Sequence, residues 1–309
     1  MKFLRFSVLL CFLTAIIFLL FLIRKESVAK GDLLRITMCD VGQGDAFLIS
    51  RRQTQILIDG GRGEKVLSCL WSELPFLDKT IELVIATHPD QDHIGGLPLV
   101  FEQFSVESLL LPPVTRETAD FAALSDSASS EKELIGRITA AKTGQKIIID
   151  NEISLTILAP MVVFQEKLAQ NAANAETILS AANGFIPVDD GQSNRWSIVL
   201  LLQFRQFKML FTADADSELE LALLQAGVLS DVDILKVGHH GSKSSTSELF
   251  LERITPETSL ISVGENNPYG HPTEVVLERL RTRRIDILRS DELGSVSLES
   301  DGQRYWIMQ

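Results

Sequence analysis

The five histidines of the chain constrain it most. His88, His93, His239, His240 and His271 each follow an apolar, β-patterned run directly or sit in a Gly/Pro loop shortly beyond one. Histidines scattered over a surface or through a core would not all track strand ends. The densest instance is THPDQDHIGG, residues 87–96, directly after the apolar run IELVIA. Side chains that leave a strand end on a tight loop can converge. Imidazole suits transition metals and carboxylate suits harder ions. An aspartate cluster buried with no cation would repel itself and shift its pKa values. Asp92 could instead cap a helix starting near Ile94, but capping needs one such residue, not four. His88, Asp90, Asp92 and His93 therefore read as half of a metal site.

The rest of the chain alternates. LLRITMCDV, AFLISRR and QILIDGG are short strand patterns punctuated by Gly and Asp, as hairpins require. A helix is expected around residues 65–73. WSIVLLLQF with FKMLFTAD, and GQKIIID with ISLTILAP, read as strand pairs; SELELALLQAG reads as a helix ending at Gly227. Strands and helices in alternation argue an α/β domain. No linker cuts the chain after residue 31, so residues 32–309 are expected to form one domain. The Ala- and Asn-rich stretch at about residues 161–190 is expected to be a helical surface insertion.

Residues 6–23 contain no charge, and Lys2, Arg5, Arg24 and Lys25 flank them. Such a run is long enough to span a bilayer and longer than the core of a usual signal peptide. Residues 1–31 are therefore expected to be an uncleaved signal anchor, one transmembrane helix with the body of the protein outside the cytoplasm. Three cysteines with no CxxC pair indicate neither a disulfide framework nor a cysteine zinc site. A net charge of −12 excludes a generic nucleic-acid binder, since phosphate contacts need Lys and Arg, but leaves room for a local basic groove.

THPDQDHIGG resembles the His-x-[His/Asp]-x-Asp-His signature of the metallo-β-lactamase superfamily, in its Asp variant. LIDGG around Asp59 and FTAD ending at Asp214 resemble two further superfamily motifs. DVGQGDA, LKVGHHGSKSSTS and SVGENNPYGHP are similar to the hydrolase domain of ComEC-type DNA-uptake proteins. The resemblance implies an αββα sandwich with two divalent ions, manganese or zinc with magnesium possible, at the sheet edges. It implies that His88 and Asp90 bind one ion, Asp92 and His93 the other, and that Asp214 bridges them. One histidine of the His239–His240 pair completes the second site; His240 is favoured, leaving His239 to face the phosphate. Asp92 would also position water, and His271 would contact or protonate the leaving group. Asp59 would fix a ligand histidine. Asp40 and Asp45 flank a glycine loop expected near the site, although holding a turn is an equally good role for them.

Two departures stand out. Asp90 replaces the superfamily's usual second histidine. The usual histidine of the third motif has no counterpart either, and Asn194 is the candidate substitute. A first site poorer in nitrogen favours oxygen-liking ions. Ser242 and Lys243 of the HHGSKSSTS loop are candidate phosphate donors beside an expected helix start. Lys236, Arg205 and Lys208 read as solvated charges on strand faces or as added positive charge. The expected activity is a metal-dependent phosphodiesterase or nuclease acting on DNA, with a separate multi-helix channel as partner. The alternatives are a phosphodiesterase on a non-nucleic cell-envelope substrate and a binding module whose catalysis has lapsed.

Overall fold

The computed structural model describes residues 32–75, 78–130, 137–161, 186–187 and 190–308. The expected membrane anchor and most of the expected insertion lie outside the described residues. Among the described residues no helix is long and apolar enough to cross a membrane.

Strand alternation builds the layers. In Phe47–Arg51, Phe47 and Ile49 point to one face and Leu48 to the other; in Val199–Phe204, Leu200, Leu202 and Phe204 oppose Val199. That is the period-2 geometry of a strand covered on both faces. The inward set from both sheets forms one core, in which Ile36, Met38, Phe47 and Ile56 meet Leu155, Leu200, Phe204 and Phe211. Phe47 and Phe211 meet edge to face across it, with centroids 5.4 Å apart. The outward set of the first sheet packs on the helices Lys65–Glu73, Leu97–Gln103 and Ala119–Ser130; that of the second packs on Ser217–Ala226, Glu248–Ile254 and Glu274–Thr282. The result is the expected αββα sandwich.

The first sheet has eight strands. Its first five, from Tyr305–Met308 through Val296–Ser300, Leu34–Met38 and Phe47–Arg51 to Thr54–Ile58, run antiparallel to their neighbours. Leu83–Ile85, Leu109–Leu111 and Ile138–Ala140 then extend it in parallel. The second has seven, antiparallel from Lys146–Ile148 to Phe207–Phe211 and parallel onward through Ile234–Lys236 and Thr258–Ile261 to Asp286–Arg289. The ends of Thr54–Ile58, Leu83–Ile85, Phe207–Phe211 and Ile234–Lys236 lead into the loops bearing Asp59, His88, Asp214 and His240. Loops at the carboxyl ends of parallel strands are the usual place for a site in α/β folds.

Helix Ser217–Ala226 ends at Gly227 as expected and is capped at both ends. Asp216 accepts from the amides of Glu218 and Leu219, and Gly227 closes it in the left-handed region (φ 66°). The helix expected near Ile94 is two: Gln91–Ile94 and Leu97–Gln103. Asp92 therefore lies inside a helical turn and caps nothing.

The cysteine reading is corrected. Cys39 and Cys69 form a disulfide, Cα–Cα 5.8 Å, joining the end of the first strand to helix Lys65–Glu73. Sequence separation of 30 hides a proximity that only the folding back of that helix creates. Replacing both cysteines by serine should destabilise the chain by about 2–4 kcal/mol, the usual worth of closing such a loop. Equilibrium urea unfolding of the variant against wild type measures this; equal midpoints would contradict it.

Candidate metal centre

Seven side chains from both sheets converge at the strand ends. Among the described residues four groups could hold a cation: His88, His93 and Asp214; Asp92, His93 and His240; Asp45, Asp214 and His240; and Asp45, Asp59 and His93. Their ligand atoms lie within 4.8 Å of one another in each group. His93 is common to three groups and Asp214 to two.

His93 and His240 are each aimed by their second ring nitrogen. His93 directs Nδ1 to Asp59 Oδ2 at 2.8 Å and Nε2 to Asp214 Oδ1 at 3.2 Å. His240 donates Nδ1–H to the Ser262 carbonyl at 2.8 Å, which leaves Nε2 facing Asp92 at 3.5 Å and Asp214 at 3.6 Å. Holding one ring nitrogen so that the other faces a metal is the standard outer support of a ligand histidine. Both His239 (φ 46°) and His240 (φ 52°) take the left-handed conformation, as do Asp59 (φ 60°) and Ala213 (φ 47°). Such residues cost on the order of 1–3 kcal/mol each and persist where the surroundings over-determine them. Gly44 (φ 130°) lets the DVGQGD loop press on the backbone of Asp92; a Cβ there would strike the Asp92 carbonyl. Asp45 N donates to that same carbonyl at 3.0 Å.

The electrostatics separate two kinds of histidine. Burial would push His93 and His240 down, but Asp214 with Asp59 raises His93 well above its ordinary value, and Asp214 with Asp45 raises His240 to about 10. His88 goes the other way, to about 4, because it is buried and beside His93. Burial would raise Asp214, yet His240 and His93 hold it far below 3.8. Asp92 is lowered too, by His240 and His93 against burial. Paired cationic imidazoles and carboxylates balance the charges of the metal-free cluster.

The donor set fits a divalent cation. His88 Nε2, His93 Nε2, His240 Nε2 and Asp214 Oδ1 are buried and make no hydrogen bond among the described residues. Buried polar atoms without partners call for an explanation, and a cation held by His88, His93 and Asp214, with a second near His93 and His240, supplies one.

The expected residues are distributed unevenly. Asp92, His93, His240 and Asp214 are brought together, and His240 is the deeper of the adjacent pair, 1% against 29% side-chain exposure for His239. His239 Nε2 still reaches within 3.6 Å of Asp214 Oδ2. Asp90 contacts His88 Nε2 at 3.1 Å, accepts from Ser193 and forms an ion pair with Arg116. Its charge is thus shared with a guanidinium. Asn194 donates to His239 Nδ1 at 3.2 Å and so sits against that ring. His271 lies beside His239, ring centroids 5.7 Å apart. Burial with the nearby His239 and His240 lowers its pKa. Asp40 stays outside the cluster, where it accepts from Gly42 N and lies 3.9 Å from Lys65 Nζ.

The HHGSKSSTS loop departs from expectation. At the expected helix start the amides of Thr246 and Ser247 donate to the buried carboxylate of Glu220 rather than facing outward to an anion. Ser245 Oγ donates to Gly238 O. Ser242, bonded to Ser244, and exposed Lys243 remain as donors. Lys236 also overturns its reading as a solvated charge: it is buried, ion-paired with Asp45, 2.7 Å from Ala213 O and 3.9 Å from Asp214 Oδ1. Arg205 pairs with Glu152, and Lys208 lies near Ser230, neither at the site.

The superfamily model described as Metallo-beta-lactamase superfamily matches residues 39–166, which contain the whole first half of the cluster. Over that stretch the chain is similar to the metallo-β-lactamase superfamily. It is 29% identical over 300 residues to ComE operon protein 3 of Bacillus subtilis, covering 91% of this chain and 34% of that one. It is 28% identical to Recombination protein 2 of Haemophilus influenzae, covering 99% and 34%. The chain thus spans about a third of the length of these curated relatives. Competence protein ComA of Neisseria gonorrhoeae matches at 37% over 110 residues, 35% of this chain and 16% of that one. The ComEC-type resemblance holds. Among solved structures, the metallo-beta-lactamase fold protein YhfI of Bacillus subtilis superposes with TM-score 0.51 at 11% identity, covering 87% of this chain and all of that one. Metallo-β-lactamase folds bind divalent metals, and the chain shares that fold and is similar to competence-related proteins.

Asp59 tests the support of His93. Its carboxylate accepts from Thr87 N (2.7 Å), Thr87 Oγ1 (2.6 Å) and His93 Nδ1, so it fixes both ring and loop. Asp59→Asn should weaken metal binding by roughly 10- to 100-fold, the cost of losing a partner outside the ligand set. Titration calorimetry with manganese or zinc reads it; unchanged affinity would remove Asp59 from this role.

Proposed function

We propose that residues 32–309 are a metal-dependent phosphodiesterase that acts on DNA outside the cytoplasm. Residues 1–31 would anchor it in the membrane, and a separate multi-helix channel protein would be its partner. The observation that carries this reading is the convergence of unbonded His88, His93, His240 and Asp214 atoms at the sheet edges. His88 and Asp90 with Asp214 would hold one ion, and Asp92, His93 and His240 with Asp214 the other. Two such cations, when bound, polarise a phosphoryl oxygen and acidify water.

The chain's own groups then divide the remaining work. Asp92, ionised at neutral pH, accepts a hydrogen bond from the attacking water and orients it. His239 and His271 line the outer side, where neutral rings donate N–H to the phosphoryl and leaving oxygens. Ser242 and Lys243 remain as further phosphate donors. Arg116 draws charge from Asp90, so the His88 side is the weaker half and suits oxygen-liking manganese or magnesium. The competence-related names of the relatives favour DNA as substrate. The disulfide supports an oxidising compartment, consistent with a body outside the cytoplasm.

The acidic net charge and the loop amides held by Glu220 favour a second reading, a non-nucleic cell-envelope phosphodiester. The test is single-stranded DNA hydrolysis by the purified full chain with manganese, beside the Asp92→Ala, His93→Ala variant. Loss of activity in the variant is expected. Equal rates, or no hydrolysis under any divalent metal, would sink the phosphodiesterase reading; fewer than one ion per chain with no hydrolysis would favour a lapsed binding module. DNA that fails to compete with a small chromogenic phosphodiester would favour the envelope substrate.

A further inference from the structure

Tyr269 is the exposed aromatic ring attached to the site. It is 54% exposed, and its ring stacks on His271 with centroids 5.9 Å apart and planes 24° apart. His271 meets His239 edge-on at 5.7 Å, and His239 faces Asp214. Three rings thus lead in series from the metal ligands to solvent. The loop that carries Tyr269 and His271 is clamped by one side chain. Asn267 donates to Gly264 O (3.0 Å) and His271 O (2.6 Å), and accepts from His271 N (3.0 Å). Arg62, exposed on a loop of the other sheet, donates to the Tyr269 hydroxyl at 3.3 Å. An amphipathic ring with few rotamers is held in place beside a cation and left uncovered. A planar ligand is what such a surface takes, since a stacked base shields the ring face without needing a polar partner.

We infer that Tyr269 is the stacking platform for the base of a nucleotide adjoining the phosphate held at the metal centre, with Arg62 beside it for the next phosphate. This deepens the DNA reading and rests on it. It adds a base contact where the acidic surface offers few phosphate contacts, so that single-stranded rather than paired strands would be preferred.

The experiment uses the full chain in detergent and two phosphorothioate-linked single-stranded oligonucleotides, which resist hydrolysis. One carries 2-aminopurine, whose fluorescence is quenched on stacking; the other is abasic at the same position. Wild type and Tyr269→Phe are expected to quench the probe. Tyr269→Ala should lose the quench and bind the base-bearing strand roughly 5- to 100-fold more weakly. The abasic strand should bind all three proteins within about twofold, because no stacked base is then lost. Equal loss on both strands, or no loss on either, would overturn the platform while leaving DNA as the ligand. Wild type that binds neither strand overturns the platform and the DNA reading together.

Discussion

Asp214→Asn is expected to remove hydrolysis and metal loading together while the chain stays folded. Asp214 sits where the ligand sets overlap. One oxygen lies 3.2 Å from His93 Nε2 and 3.6 Å from His240 Nε2, and the other lies 3.6 Å from His239 Nε2. Asparagine keeps the volume and removes the anion. Losing a partner outside the ligand set costs roughly 10- to 100-fold, so losing the shared ligand should cost at least ~100-fold in metal affinity and in rate. Stability should respond with a definite sign. The Asp214 carboxyl is depressed below 3.8 by His240 and His93, so its contribution is present at neutral pH and is lost as pH falls through the acid range. The metal-free variant should therefore melt lower than wild type at pH 7, and the gap should narrow on acidification. Metal content by mass spectrometry, hydrolysis rate and thermal unfolding with EDTA distinguish these effects. A variant that still loads two ions per chain would remove Asp214 from the centre of the site.

The α/β class was legible because strand patterns and helices alternate along the chain; the two-sheet sandwich came from the family resemblance, and the strands build it by alternation of faces. Phe47, Ile49, Leu200 and Leu202 face one core, while Leu48 and Val199 face the helices. His88, Asp92, His93 and His240 were legible as residues because costly polar groups gather at strand ends; Asp214 and the pairing of the ligands came only from the family resemblance. Other features depend on contacts remote in sequence. Glu220 takes the amides of Thr246 and Ser247 from a helix whose sequence reads as ordinary and amphipathic. Asn194, the expected stand-in ligand, sets its amide nitrogen against His239. Cys39 and Cys69 meet only after helix Lys65–Glu73 packs back on the sheet. Lys236 is different, since a signal existed. Ile234 faces the inter-sheet core and Leu235 the helices, so alternation sends Lys236 inward. Reading it as a solvated charge ignored its own strand.

That inward lysine carries the second large effect. Lys236→Met should destabilise the metal-free chain by about 3–5 kcal/mol, because removing one partner of a buried ion pair strands the other. The stranded group is Asp45, buried, with His240 Nδ1 at 3.4 Å and His93 Nδ1 at 3.8 Å as its remaining cationic neighbours. Burial pushes the Asp45 carboxyl up, and Lys236, ahead of His240, brings it below its ordinary value. With the ammonium gone, desolvation is opposed only by imidazoles that Asp214 also engages. Methionine fills similar volume, so a packing defect contributes little. A second substitution isolates the charge: Lys236→Met with Asp45→Asn should recover a large part of the loss, as coupled neighbours do in a double-mutant cycle. Bound manganese should narrow the deficit as well, since the cations restore positive charge near Asp45. Urea unfolding of the four proteins, with and without EDTA, reads all of these. A single variant as stable as wild type, or a double variant no better than the single, would show that Lys236 is not the counter-ion on which the carboxylate cluster depends.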